Sequence, residues 1–136
     1  MSQPDWDAEA ARWAKQIEAV VDGLRAWRAA HPRATFRAIA EAWDAELDPL
    51  RAQLLADAAT ASPAARFTEE AAEERPSCPR CGGRVIGRGR GRRRLTRRGD
   101  ASVDLEREYG TCTSCGSGVS PLDEELELGT ERFDPG

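Results

Sequence analysis

Two short motifs, Cys78-Pro79-Arg80-Cys81 and Cys112-Thr113-Ser114-Cys115, contain every cysteine of the chain and lie thirty residues apart. This spacing constrains the fold more than any other feature, because paired CxxC knuckles bring four thiolates round one ion in the tetrahedral geometry of structural zinc. Each motif is followed by glycine, Gly82 and Gly116. A knuckle turns its backbone so tightly that the residue after the second cysteine often needs positive φ, which glycine adopts without strain. The expected ligands are therefore Cys78, Cys81, Cys112 and Cys115, around one structural Zn2+. A single iron held by the same four thiolates is the competing reading. Four thiolates close the coordination sphere, so catalytic zinc with an open water position does not fit.

The cysteines all lie beyond residue 77, whereas Trp6, Trp13, Trp27 and Trp43 all lie before residue 44, which indicates two units in 136 residues. Formal charge is also segregated. Residues 1–75 carry 14 acids and 9 bases, residues 76–110 carry 4 acids and 10 bases, and residues 111–136 carry 6 acids and 1 base. A basic block inside an acidic chain points to a polyanion contact at one place. No basic segment leading into an apolar core opens the chain, and no apolar run is long enough for a membrane helix. The expected location is the cytoplasm, where thiols stay reduced and metal is a better explanation than disulfides.

In the first half, Trp6, Ala10, Trp13, Ile17, Val20, Leu24 and Trp27 recur at alternating intervals of four and three, the stripe of an amphipathic helix. Asp5 or Asp7 suits its start and His31-Pro32 its stop. A second stripe, Phe36, Ala40, Trp43, Leu47, Leu50 and Leu54, begins after Thr35 as N-cap. Asp48-Pro49 interrupts it, and the expectation is two helices after His31, the later one spanning about 48–59. An antiparallel hairpin or small bundle gives each stripe a partner. The heptads also admit a homo-oligomer. A helix-turn-helix starting at Thr35 lacks the polar recognition helix that such a motif needs.

Residues 63–76 lose the apolar stripe, keep Phe67 as the one large apolar side chain, and read as a linker. Beyond them the sequence alternates as strands do, with segments at 84–87, 92–96 and 101–109 and a turn at 97–100. In the last segment Val103, Leu105, Arg107 and Tyr109 share one face, and Asp104, Glu106 and Glu108 the other. This is the outline of a zinc ribbon over 77–120, too small to fold without its metal. Eight arginines, Arg84, Arg88, Arg90, Arg92, Arg93, Arg94, Arg97 and Arg98, crowd fifteen residues. Their planar forks suit phosphates and guanine edges, so duplex DNA is the expected partner, although some must offset the acidic strand and the tetrathiolate charge. No aromatic interrupts the run, which disfavours single-strand stacking. Over 121–136, Ser120-Pro121 and the following acids predict a short helix ending at Gly129, then a tail without structural signal.

The order CPRCGG, RRRLTRRGDASVDLEREYGTCTSCG, SPLDEELEL resembles the N-terminal zinc-ribbon region of bacterial insertion-sequence transposases, and ATFRAIAEAWDAELDPLR is similar to the helical segment before that ribbon. The resemblance implies zinc on the four cysteines and DNA on the arginine strand. In that family a nuclease domain with three metal-binding carboxylates follows, about where this sequence ends. Asp123, Glu124, Glu125 and Glu127 sit too close together in sequence to replace it. The expectation is thus an α+β chain that binds DNA without catalysing its cleavage. A protein-interaction module, dimerising through its helices with the ribbon docked on a protein, is the alternative.

Overall fold

The computed structural model describes residues 5–96 and 102–129. It is an α+β chain: N-terminal helices, then a three-stranded antiparallel sheet. Two compact units separate after Leu55.

The first unit is built on helix α1, Trp6–Ala30, and helix α2, Phe36–Ala59. Asp5 caps α1 by accepting from the Ala8 N–H at 3.1 Å, and Thr35 Oγ1 does the same for Ala38 at 3.1 Å. At the far end of α1 the His31 ring stacks on Trp27, with centroids 4.4 Å apart. The helices run antiparallel, since Trp27 meets Trp43 edge-on at 6.1 Å and the site of a Gly23 side chain faces Glu46. One expectation is corrected here. α2 is a single helix through Pro49, not two helices broken at Asp48-Pro49. The proline forfeits one backbone hydrogen bond, but Trp43, Leu50 and Leu54 keep one phase across it, and that phase is lost if the helix restarts.

The second unit contains the sheet. Strand β1, Val85–Leu95, pairs with β2, Val103–Cys112, whose other edge at Gly110 and Thr111 pairs with the two-residue strand β3, Gly118–Val119. The two strand segments expected at 84–87 and 92–96 are thus one continuous strand, and β3 is an element that alternation over so few residues could not reveal. A bulge joins the halves of β1. Gly87 faces Gly110 and Gly89 faces Tyr109, leaving Arg88 as the extra residue, while Gly89 takes φ 147°, a conformation open to glycine. The turn expected at 97–100 lies outside the described residues.

Burial along β2 follows the expected faces only in its first half. Val103 and Leu105 are buried, but beyond Arg107 the pattern inverts: Glu108 is buried and Tyr109 exposed. The cause is the segment read from sequence as a linker. Residues Pro63–Glu69 and Ala72–Glu74 form 3-10 turns, and the first packs on β2 beside the knuckles. Phe67 is 0% exposed and sits with Cys78, Val85, Cys112 and Val119 in one core cluster. Glu108 fastens this clasp by accepting from the Thr68 N–H at 3.0 Å and from Thr68 Oγ1 at 2.6 Å, while Arg75 donates to the Thr68 and Glu70 carbonyls. Thr68→Val keeps the shape but deletes one donor to a buried carboxylate. It is expected to cost about 1–3 kcal/mol in chemical denaturation of the metal-loaded protein.

The opposite face is closed by helix α3, Pro121–Glu125, in which Leu122 is fully buried. Pro121 occupies the first turn as expected, but the helix stops at Glu125 rather than Gly129, and Ser120 makes no side-chain cap.

Candidate metal centre and basic strand

The two knuckles have the same construction. In each, the glycine N–H donates to the first cysteine's carbonyl, Gly82 to Cys78 at 2.9 Å and Gly116 to Cys112 at 3.0 Å, and both glycines adopt φ 75°. The first cysteine's N–H donates one residue further on, Cys78 to the Gly83 carbonyl and Cys112 to the Ser117 carbonyl, each at 2.9 Å. These bonds curl the chain so that both sulfurs of a motif point to one centre. The strands then bring the knuckles together, because Val85 pairs with Cys112 and the Thr113 N–H reaches the Arg84 carbonyl at 2.8 Å.

All four sulfurs lie within 4.8 Å of one another, with Cys78–Cys115 at 3.8 Å and Cys81–Cys112 at 3.4 Å. A tetrahedral ion with metal–sulfur bonds of about 2.3 Å requires sulfur separations of about 3.8 Å, so the centre has the size of a four-thiolate site. Cys78 and Cys112 are buried, and Cys81 and Cys115 are exposed. The electrostatics suit a bound cation. The Ser117 hydroxyl and N–H, with the Cys81 sulfur, pull Cys115 down to about 6. The N–H groups of Cys115 and Ser114 lower Cys112. The Gly83 N–H favours the Cys81 thiolate too, yet the neighbouring sulfurs of Cys112 and Cys115 overcome it and push Cys81 up to about 12. Four thiolates this close cannot all ionise near neutral pH unless a cation joins them. The four cysteines can therefore hold one metal ion.

The arginines divide by function. Register places Arg94 opposite Asp104, Arg92 opposite Glu106 and Arg90 opposite Glu108, a ladder of alternating charge on one face. Arg94 makes an ion pair with Asp104 at 3.0 Å, and Arg90 comes within 3.9 Å of Glu69. Arg93 points to the other face, where it binds Asp123 at 3.1 Å and the Gly129 carbonyl at 2.8 Å. Asp123 also receives both nitrogens of Arg107, each at 2.9 Å. Arg93 is thus a structural side chain, a role that only the fold around α3 discloses. Arg84, Arg88 and Arg92 are exposed, and among the described residues none makes an ion pair. Arg88 donates to the Thr111 hydroxyl at 3.4 Å. Arg97 and Arg98 lie outside the described residues.

No helix of the described residues is long and apolar enough to cross a membrane. No family model, curated protein or solved structure matches the chain.

Proposed function

We propose that this chain is a zinc-ribbon DNA-binding protein, in which one structural Zn2+ staples a β-ribbon and the exposed arginines of β1 grip the backbone of duplex DNA. Zinc, when bound, supplies folding free energy and no bond chemistry. The observation that carries the reading is the set Arg84, Arg88 and Arg92. Arg88 and Arg92 lie on a sheet-edge strand and Arg84 just before it; all three are exposed and none makes an ion pair among the described residues, Arg92 facing Glu106 only through strand register. A two-stranded ribbon is also narrow enough for the major groove. The likeness to transposase N-terminal regions supports the same partner and no nuclease chemistry in this segment. Asp123, the best-placed acid after the ribbon, is occupied by Arg93 and Arg107.

The test is titration of zinc-loaded protein with duplex DNA across a salt series. Affinity is expected to fall steeply with salt. Changing Arg84, Arg88 and Arg92 together to Ala should reduce the slope of log K against log salt by roughly 2–3, whereas Arg94→Ala should change it by less than 1. Undetectable binding at low salt refutes the reading. Metal analysis of protein isolated from its own host decides zinc against iron.

A further inference from the structure

The helical unit leaves its own apolar stripe uncovered. In α1 the one buried side chain is Leu24, and in α2 it is Ala52. The flank of α1 turned toward α2 is half-buried at Val20, Gly23 and Trp27. The adjoining flank is exposed, with Ile17 at 44% and Val21 at 45%, and Leu47 of α2 at 40%. Next to Val21 opens a hollow of about 530 Å³ lined by Val21, Leu24, Arg25, Arg28, Ala29 and Trp43. Isolated helices this weakly packed are marginal in water, so the surface calls for an apolar partner.

Charge identifies the partner. Residues 25–40, which wrap the tip of the hairpin, contain Arg25, Arg28, Arg33 and Arg37 and no acid. The next band away from the tip, residues 17–24 and 41–48, contains Glu18, Asp22, Glu41, Asp44, Glu46 and Asp48 and no base. The hollow sits on the boundary between these bands, with Arg25 and Arg28 on one side and Val21 and Trp43 on the other. Such a patch is complementary to itself after a half-turn, which is the requirement for an isologous dimer.

We propose that the hairpin is a dimerisation surface on which two copies of the chain pack antiparallel about a two-fold axis through this hollow. Each basic tip then lies on the other copy's acidic band. Leu24 and Trp43 of the two copies lie nearest the axis in a four-helix core, and Val21 and Ile17 extend the contact toward the partner's tip. Opposed bands fix the orientation, because a parallel pair sets tip against tip and band against band. The inference is independent of DNA binding by the ribbon.

Sedimentation equilibrium of the full-length, metal-loaded chain tests it. The expected mass is twice the 14.9 kDa of one copy. Ile17→Lys with Val21→Lys, both at exposed positions that face the partner's basic tip, should raise the dimer dissociation constant by roughly thirtyfold or more. Charge reversal tests the geometry. Arg25→Glu with Arg28→Glu should weaken self-association, and so should Asp22→Arg with Asp44→Arg, while mixing the two variants should restore a dimer containing one of each. Circular dichroism of each variant confirms retained helix. A monomer at every attainable concentration overturns the proposal, as does association untouched by all three variants. A monomer that instead binds duplex DNA through Arg25 and Arg28 assigns the tip to nucleic acid and equally overturns it.

Discussion

Stripping the metal by chelation, or replacing Cys112 with Ser, is expected to unfold the sheet. The effect follows from the composition of the core. Of the five residues in the central cluster, Phe67, Cys78, Val85, Cys112 and Val119, two belong to the candidate metal centre. Without the ion, this cluster keeps one aromatic and two valines, and the small apolar layer of Leu95, Val103, Leu105 and Leu122 on the other face is too little to order the sheet by itself. Loss on the order of ten kcal/mol is expected, which exceeds what an unligated ribbon of this size retains. Amide exchange in β1 and β2 should become unprotected on chelation and recover on zinc addition, while helical ellipticity from residues 5–55, a separate unit, largely persists. Binding also displaces thiol protons, among them that of Cys81, which, against the pull of the Gly83 N–H, the sulfurs of Cys112 and Cys115 push up to about 12. Adding zinc to weakly buffered apoprotein at neutral pH should therefore acidify the solution, and metal affinity should fall as pH falls. A sheet that stays protected in the metal-free state would contradict the stapling role.

Asp123→Asn carries the second large effect. Asp123 is the common acceptor for Arg93 and Arg107, whose side chains are 15% and 12% exposed. Removing its charge strands two guanidinium groups in a poorly hydrated site, and breaking a buried pair in this way costs about 3–5 kcal/mol. Replacing Arg93 and Arg107 by Met and Asp123 by Leu together should recover much of that loss, because no lone charge remains there. Acidification mimics the single variant. Burial opposes ionisation of Asp123, but hydrogen bonds from Arg107 and Arg93 outweigh it and hold the carboxyl below its usual range. Its stabilisation is therefore complete above the ordinary carboxylate pKa and disappears as pH falls through the lower folded value. Denaturation midpoints of wild type and Asp123→Asn should converge over that acid range. A constant gap would refute the ion-pair account.

Features set by local spacing were legible in the sequence. Glycine after each CxxC motif, Asp5 and Thr35 as caps, and the four-and-three stripes all express short-range rules, and the α+β order follows from them. What stayed hidden depends on distant partners. Phe67 stands alone among small and acidic neighbours, and only the opening beside Val85 and Cys112 makes it a core residue. Glu108 alternates like a surface acid until the clasp covers it, and Asp123 resembles an ordinary first-turn acid until α3 folds over Arg93 and Arg107. The bulge at Arg88 escaped because glycines normally argue against a strand, whereas here Gly89 lets one continue.

The position of β1 has one more consequence. Among the described residues it is the outermost strand, so the amides and carbonyls along its free side have no neighbour in the sheet there. An open strand of this kind recruits other chains into growing sheets unless something repels them. The bulge at Arg88 bends the free side out of true, and the arginine side chains crowd each approach with like charge. Variants designed to silence nucleic-acid contact by neutralising the strand also remove its guard against aggregation. Replacing the arginines with lysine preserves the repulsion while discarding the planar fork, and so separates solubility from recognition.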